Sequence, residues 1–180
     1  MEQVEKTLWE CFLEYRTTGR PGIPRDELLQ YMMKVAEAID ISDNDSHVMH
    51  CDIRPQNIII LNDGIQLRES RFAGNMRGLI ANVSKGCTPE YAAPELFDGL
   101  ISRFTDQFSL AVVYEEMLTG HRPYPRPNLK QLIEQHISGK PDLSFLALHD
   151  QQVVARALSR SPDERFQCCK DFVEALAKSE

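Results

Sequence analysis

The sequence predicts a mainly α-helical fold that carries one small β-hairpin. About six segments repeat apolar residues at helical spacing, with Gly or Pro between them. One of these segments, residues 108–118, is apolar almost all round and therefore predicts a helix that is buried on every side. Two short β-prone runs, residues 58–61 and 65–67, flank Asn62-Asp63-Gly64, which is the composition of a hairpin turn.

Composition limits the class of protein. The chain has 180 residues, of which 42% are hydrophobic and 26% charged, as in one globular domain with its own core. A formal charge of −7 without basic clusters argues against nucleic acid as a partner. No apolar run approaches the roughly 20 residues of a membrane span, and no secretory signal follows Met1, so we expect no membrane contact and a cytoplasmic location. The five cysteines lack the spacing of a zinc site or a disulfide frame.

The predicted helices follow one another along the chain. Residues 8–15 form the first, which a run of Gly and Pro ends. The second, in residues 25–41, carries an apolar stripe at positions i, i+4, i+7 and i+11: Leu28, Met32, Val35 and Ile39. Thr105-Asp106 begins the buried helix and Gly120 ends it. Three further helical segments cover residues 128–136, 151–158 and 166–176.

Two parts of the chain carry the chemistry. Residues 50–57 read His-Cys-Asp-Ile-Arg-Pro-Gln-Asn, which has the His-x-Asp-x-x-x-x-Asn spacing of a phosphotransferase catalytic loop. Residues 72–86 show no regular period and contain three glycines, which predicts a long loop of the kind that often carries function. Ala93-Pro94-Glu95 follows this loop, Asp106 opens the buried helix, and a late Pro-x-x-Arg ends at Arg165.

In this order, these motifs closely resemble the C-terminal lobe of eukaryotic-like serine/threonine protein kinases of the bacterial type. The resemblance implies a protein-kinase-like fold of the α+β class, of which the mainly α-helical C-terminal lobe and its small β-hairpin are present. It covers residues 1–180 as a single lobe. Within it, residues 1–6 resemble the remnant of the hinge, residues 50–57 the catalytic loop and residues 69–95 the activation segment.

The resemblance also implies roles for individual residues. Asp52 matches the aspartate that accepts or orients the substrate hydroxyl, and Asn57 matches an asparagine that helps to hold Mg²⁺. Arg54 is a catalytic candidate at a position where the family usually has a lysine near the transferred phosphate. Thr88 matches a hydroxyl on the substrate side that contacts Asp52.

Four further matches are structural. His50 resembles a packing residue, and Asp106 resembles the buried aspartate that accepts hydrogen bonds from the catalytic-loop backbone. Glu95 resembles the partner of Arg165 in a buried ion pair.

The sequence departs from the family pattern at the metal motif. Glu69-Ser70-Arg71 stands where the family has Asp-Phe-Gly, so Glu69 is the second candidate metal ligand. Its side chain is one methylene longer than aspartate, and Mg²⁺ demands near-ideal octahedral geometry. Cys51 replaces an arginine that in many relatives binds phosphate on the activation loop, so we expect no phosphorylation switch of that kind.

The expected N-terminal lobe is missing from the sequence. No Gly-x-Gly-x-x-Gly occurs, and neither does the Val-Ala-Ile-Lys strand that would hold the α- and β-phosphates. Two helices and their connections occupy the residues before His50, which leaves no room for a five-stranded sheet. We therefore expect the ATP-binding lobe, and with it half of the nucleotide cleft, to be absent.

Three functions remain open at this point. The first is a kinase-like protein that is inactive as this chain and acts as a binding module, with a protein partner on the exposed cleft face. The second is an active ATP-dependent serine/threonine kinase whose N-terminal lobe comes from upstream sequence or from a partner chain. The third is a fragment without function. No cofactor is expected for the isolated chain, whereas ATP and Mg²⁺ would bind an assembled kinase.

Overall fold

The computed structural model describes residues 5–46, 49–62, 64–68, 89–124 and 128–178. Within these ranges the chain forms seven α-helices and one small antiparallel sheet. The helices are α1 (Leu8–Thr17), α2 (Arg25–Ser46), α3 (Pro94–Phe97), α4 (Thr105–Thr119), α5 (Leu129–Ser138), α6 (Leu148–Ala157) and α7 (Cys169–Ala177). The strands are β1 (Lys6–Thr7), β2 (Ile58–Ile60) and β3 (Ile65–Leu67), and short 3₁₀ turns cover Pro55–Asn57 and Pro162–Glu164.

The predicted hairpin is confirmed, and a third strand joins it. In the hairpin, Ile58 pairs with Leu67 and Ile60 with Ile65. Strand β1 then pairs antiparallel with the other edge of β2, where Lys6 lies opposite Ile60. A strand of two residues is too short to show the alternation by which strands are recognised, so β1 was not predicted.

Helix α1 begins at a capping box. The Oγ1 of Thr7 accepts a hydrogen bond from the Glu10 backbone N–H (3.2 Å), while the Glu10 carboxylate accepts one from the Thr7 backbone N–H (2.7 Å). Two of the N–H groups that a helix start leaves without partners are thereby satisfied. The first predicted helix is confirmed. Gly19, which follows it, has a left-handed backbone conformation (φ 79°), which glycine adopts without strain.

Helix α4 is the centre of the core. All but one of its fifteen residues are buried, as its nearly continuous apolar sequence predicted. Gly120 ends it with a φ of 76°, the left-handed conformation that glycine adopts without strain. Helix α2 packs against α4 and α7, and its predicted apolar stripe is buried in full: Leu28, Met32, Val35 and Ile39.

Two polar clamps fasten the helices around α4. The carboxylate of Asp40 on α2 accepts hydrogen bonds from the backbone N–H groups of Cys169 (2.9 Å) and Lys170 (3.0 Å), which caps α7. On α6, the buried Asp150 accepts from Arg25 of α2 (2.9 and 3.1 Å) and from the Tyr114 hydroxyl of α4 (2.8 Å). These bonds tie α2 to both of the last two helices.

One helix was not predicted, and several predicted boundaries differ from the structure. Helix α2 continues to Ser46, beyond its predicted end at residue 41. Helix α3 has only four residues, so it has no full period to recognise. Helix α6 begins at Leu148, before the predicted start at residue 151, and α7 begins at Cys169, after the predicted start at residue 166. In the described ranges, none of the helices combines the length and the apolar content that a membrane span needs.

A buried ion pair joins α3 to the turn before α7. The Arg165 guanidinium donates to both Glu95 carboxylate oxygens, at 2.8 Å each. Its remaining N–H groups donate to the backbone carbonyls of Ser159 and Phe104, each at 2.9 Å. Arg165 is 1% exposed, so its charge depends on these partners entirely.

We expect Arg165→Ala to lower the free energy of unfolding by about 3–5 kcal/mol, because it would leave the Glu95 carboxylate buried without its counter-charge. Urea unfolding at neutral pH measures this. The matched control is Lys130→Ala, which removes an exposed i, i+4 pair with Glu134 at 3.9 Å and should cost less than about 0.5 kcal/mol. Equal stability of the two variants would contradict a structural role for Arg165.

Candidate functional site

The loop of residues 50–57 is anchored to the first turn of α4. The two carboxylate oxygens of Asp106 accept hydrogen bonds from the backbone N–H groups of His50 and Cys51, at 2.7 Å each. Bonds from N–H groups to a charged acceptor are about twice as strong as neutral ones. Since α4 is buried in the core, this contact fixes the position of the loop relative to the helix.

Cys51 has a left-handed backbone conformation at the anchored part of the loop. It has a φ of 57°, and it is the one residue other than glycine with a positive φ in the described ranges. The left-handed conformation costs an ordinary residue roughly 1–2 kcal/mol. It redirects the chain directly after the two N–H groups that Asp106 accepts, and those two bonds offset its cost.

His50 connects the loop to the end of the hairpin. Its Nδ1 accepts a hydrogen bond from the Asp52 backbone N–H (3.2 Å), so in this neutral tautomer Nε2 carries the proton. Nε2 donates to the backbone carbonyl of Arg68 (2.7 Å). The His50 side chain therefore links the backbone of Asp52 to Arg68, the residue that follows β3.

Asp52, Arg54 and Asn57 lie together in the loop. The Asn57 side-chain amide donates to the Asp52 backbone carbonyl (2.9 Å) and to its carboxylate Oδ2 (2.8 Å). The Nε of Arg54 lies 3.5 Å from the other carboxylate oxygen, as an ion pair. The 3₁₀ turn Pro55–Asn57 brings these groups together, since Asn57 N–H donates to the Arg54 carbonyl (2.9 Å) across it.

Two predicted site residues lie outside the described residues. They are Glu69, the second candidate metal ligand, and Thr88, the candidate on the substrate side. In the part of the chain that the structure describes, no group of three or more His, Cys, Asp or Glu side chains is arranged to hold a metal ion. Asn57, the other candidate ligand, is buried and bonded to Asp52.

The sequence prediction missed a cluster of charges at the C-terminal end of α4. Arg122 follows α4 and lies 3.3 Å from the Glu116 carboxylate and 3.9 Å from that of Glu90. The Tyr91 hydroxyl also donates to Glu116, and burial raises the pKa of that hydroxyl. The sequence carried no sufficient signal for this cluster, since Glu90, Glu116 and Arg122 belong to separate segments that meet only in the folded protein.

His136 of α5 fastens the segment that contains Ala92. Its Nδ1 donates to the Ala92 carbonyl at 2.7 Å, and its ring lies among those of Phe97, Phe108 and Tyr124. Burial among these rings lowers the pKa of His136 to about 4. The imidazole is therefore neutral near pH 7, and it acts as a fixed hydrogen-bond donor.

Comparison with known proteins agrees with this arrangement. The family model described as protein kinase domain matches residues 1–180. The serine/threonine-protein kinase PknF of Mycobacterium tuberculosis is 33% identical over 86% of this chain and 35% of its own length. PknI of Mycobacterium bovis is 30% identical over 86% of this chain and 24% of its own length. A probable serine/threonine-protein kinase of Clostridium perfringens, CPE1738, is 27% identical over 99% of this chain and 27% of its own length.

The matches therefore cover most of this chain but only a small part of each relative. The chain spans about a third or less of the length of these curated relatives. The family model, in contrast, matches every residue of the chain, including the loop anchored by Asp106 and the Glu95–Arg165 pair. The chain belongs to the protein kinase domain family, and it is similar to bacterial serine/threonine kinases of the eukaryotic-like type.

Proposed function

We propose that this chain is the C-terminal lobe of a kinase-like protein that binds a protein partner and does not itself transfer phosphate. The observation that carries the proposal is the state of Asp52. One of its carboxylate oxygens accepts a hydrogen bond from Asn57 at 2.8 Å, and the other forms an ion pair with Arg54 at 3.5 Å. Both oxygens therefore have partners inside the loop.

Phosphoryl transfer requires something different of this aspartate. The carboxylate has to accept or orient the hydroxyl of the substrate. Arg54 stands where the family usually has a lysine, and its planar guanidinium can hold a carboxylate through several N–H groups where lysine offers a single ammonium. A loop whose aspartate is held in this way is suited to structural support.

The candidate metal ligands also support a protein that does not transfer phosphate. Mg²⁺ needs several oxygen ligands in octahedral geometry. In the described part of the chain, the candidate ligand is the buried Asn57, and its single amide oxygen does not meet this requirement by itself. At the second metal position the sequence reads Glu69-Ser70-Arg71, which adds a cation two residues from the candidate ligand. We therefore derive no step through a bound metal.

The proposed partner surface is the face of the three-stranded sheet. Ile60, Ile65 and Leu67 on this sheet pack against the core but stay partly exposed. In a complete kinase, this is the side of the C-terminal lobe that faces the N-terminal lobe. We propose a protein of that type, an N-terminal lobe or a domain that takes its place, as the partner.

We expect the isolated chain to bind no Mg²⁺-ATP, because one wall of a cleft and a poor ligand set supply too little binding energy. Titration calorimetry measures this. A dissociation constant near or below about 100 μM, within the usual range for enzyme substrates, would contradict the proposal. The same titration is repeated after a separately expressed N-terminal lobe of a bacterial relative is added. Transfer of labelled phosphate to a protein substrate in that mixture would favour the active enzyme.

We expect Asp52→Ala to destabilise the protein by about 1–3 kcal/mol, since it removes one of the two acceptors of the buried Asn57 amide and leaves only the backbone carbonyl of residue 52. Urea unfolding measures the change, and Asp163→Ala, at an exposed position in the turn Pro162–Glu164, is the matched control. If both variants unfold at the same urea concentration as the parent, Asp52 has no structural role in the loop. The proposal would then lose its main support.

A further inference from the structure

Glu115 on α4 is a buried carboxyl group that the candidate site does not use. It has no solvent exposure, and neither of its carboxylate oxygens has a hydrogen-bond partner among the residues that the structure describes. An ionised carboxylate in this position would lose its hydration without compensation. The folded protein must therefore keep the Glu115 carboxyl group protonated, or the residues around it must rearrange when it ionises.

The segment of residues 139–146, between α5 and α6, contacts the residues that follow α4, the helix that carries Glu115. The segment carries Asp142, which is the nearby charge that acts on Glu115 and which has the same sign. Burial and this carboxylate together raise the pKa of Glu115 to about 8. Leu143 and Leu146 anchor the segment in the core.

Few polar contacts hold this segment to the end of α4. The Asp142 backbone N–H donates to the Pro123 carbonyl at 2.8 Å. The Phe145 ring, half exposed, stacks on His121 with 3.7 Å between ring centroids.

At the two ends of the segment, Arg160 donates to the Gly139 carbonyl (2.8 Å) and Gln151 donates to the Leu146 carbonyl (2.9 Å). Between these ends, the contacts among the described residues are one backbone bond, one ring stack and two buried leucines, so the middle of the segment can open without unfolding the rest of the domain.

Among the residues that the structure describes, the cations near the end of α4 already have partners. Arg165 is paired with Glu95, and Arg160 donates to the Gly139 carbonyl. Glu116 and Arg122 are paired with each other. Tyr124, whose pKa burial raises to about 12, stays neutral. On the neighbouring α6, Asp150 is bonded to Arg25. His121 interacts with Asp142, whose pKa is lowered chiefly by its hydrogen bonds from Ser144.

We propose that Glu115 is a proton-controlled switch for the segment of residues 139–146. The neutral acid allows the segment to close over the end of α4, and the carboxylate opposes closure because it is desolvated and faces Asp142. Opening exposes the apolar side chains of Leu143 and Leu146 beside Phe145, which is already half exposed. The segment would thereby offer a larger apolar surface at alkaline pH.

The direction of the pH dependence follows from the two states. In the open segment Glu115 is solvated and has a pKa near its usual 4.5, whereas in the closed segment the pKa is about 8. Closure is therefore favoured fully below about pH 4.5 and loses strength as the pH rises through 8. Between these values, the population of the open state increases by up to about tenfold per pH unit, and above them it is constant.

Hydrogen exchange measured from pH 5 to pH 9 tests the switch, after correction for the intrinsic pH dependence of exchange. The main reporter is the backbone amide of Asp142, whose hydrogen bond to the Pro123 carbonyl forms only while the segment is closed. The second reporter is the amide of Leu146, which bonds to the Leu143 carbonyl and follows the order within the segment itself. We expect their protection to fall by up to about tenfold per pH unit up to pH 8 in the parent protein. Amides in the middle of α2 should keep a higher protection throughout, which separates local opening from global unfolding.

Glu115→Gln is the decisive variant, because glutamine is close in shape to the protonated acid and does not ionise. We expect its reporter amides to show a flat profile at the level that the parent has at low pH. Glu174→Gln, at an exposed glutamate on α7, is the matched control and should behave like the parent. A flat profile in the parent, an unchanged slope in Glu115→Gln, or equal slopes in the segment and in α2 would each overturn the proposal.

Discussion

The carboxylate of Asp106 is the contact on which the arrangement of the candidate site depends. It lies in the first turn of the most deeply buried helix, and it holds two successive backbone N–H groups of the loop that carries Asp52. A charge in that position needs partners that cannot move away, and backbone N–H groups fixed by the chain satisfy the requirement. Directly after these two groups, the left-handed conformation of Cys51 redirects the chain toward Asp52.

The same helix carries two other carboxylates, and each is accommodated differently. Glu116 is paired with the side chain of Arg122 and accepts from a tyrosine hydroxyl. Glu115 has no such partner and keeps its proton near neutral pH. A charge buried in an apolar helix can thus be held by backbone, held by a counter-charge or neutralised, and α4 uses all three solutions.

Much of this fold could be predicted from the sequence, because its longer helices repeat apolar residues over several turns. The stripe on α2 and the Gly120 terminus of α4 follow from spacing and from backbone conformation alone. Strand β1 and helix α3 are too short to repeat anything, so only their neighbours in space define them. The Arg122 cluster could not be found either, because its members belong to segments whose contact depends on the completed fold.

The two clamps on α2 have a consequence for synthesis of the chain. Asp40 caps a helix that begins 129 residues later, and Arg25 donates to the carbonyl of Leu176, 151 residues later. During translation, the buried stripe of α2 therefore lacks its main covering helix until α7 has left the ribosome. Contacts of such long separation form late and slowly, and an exposed apolar helix is a target for chaperones and for aggregation during that time.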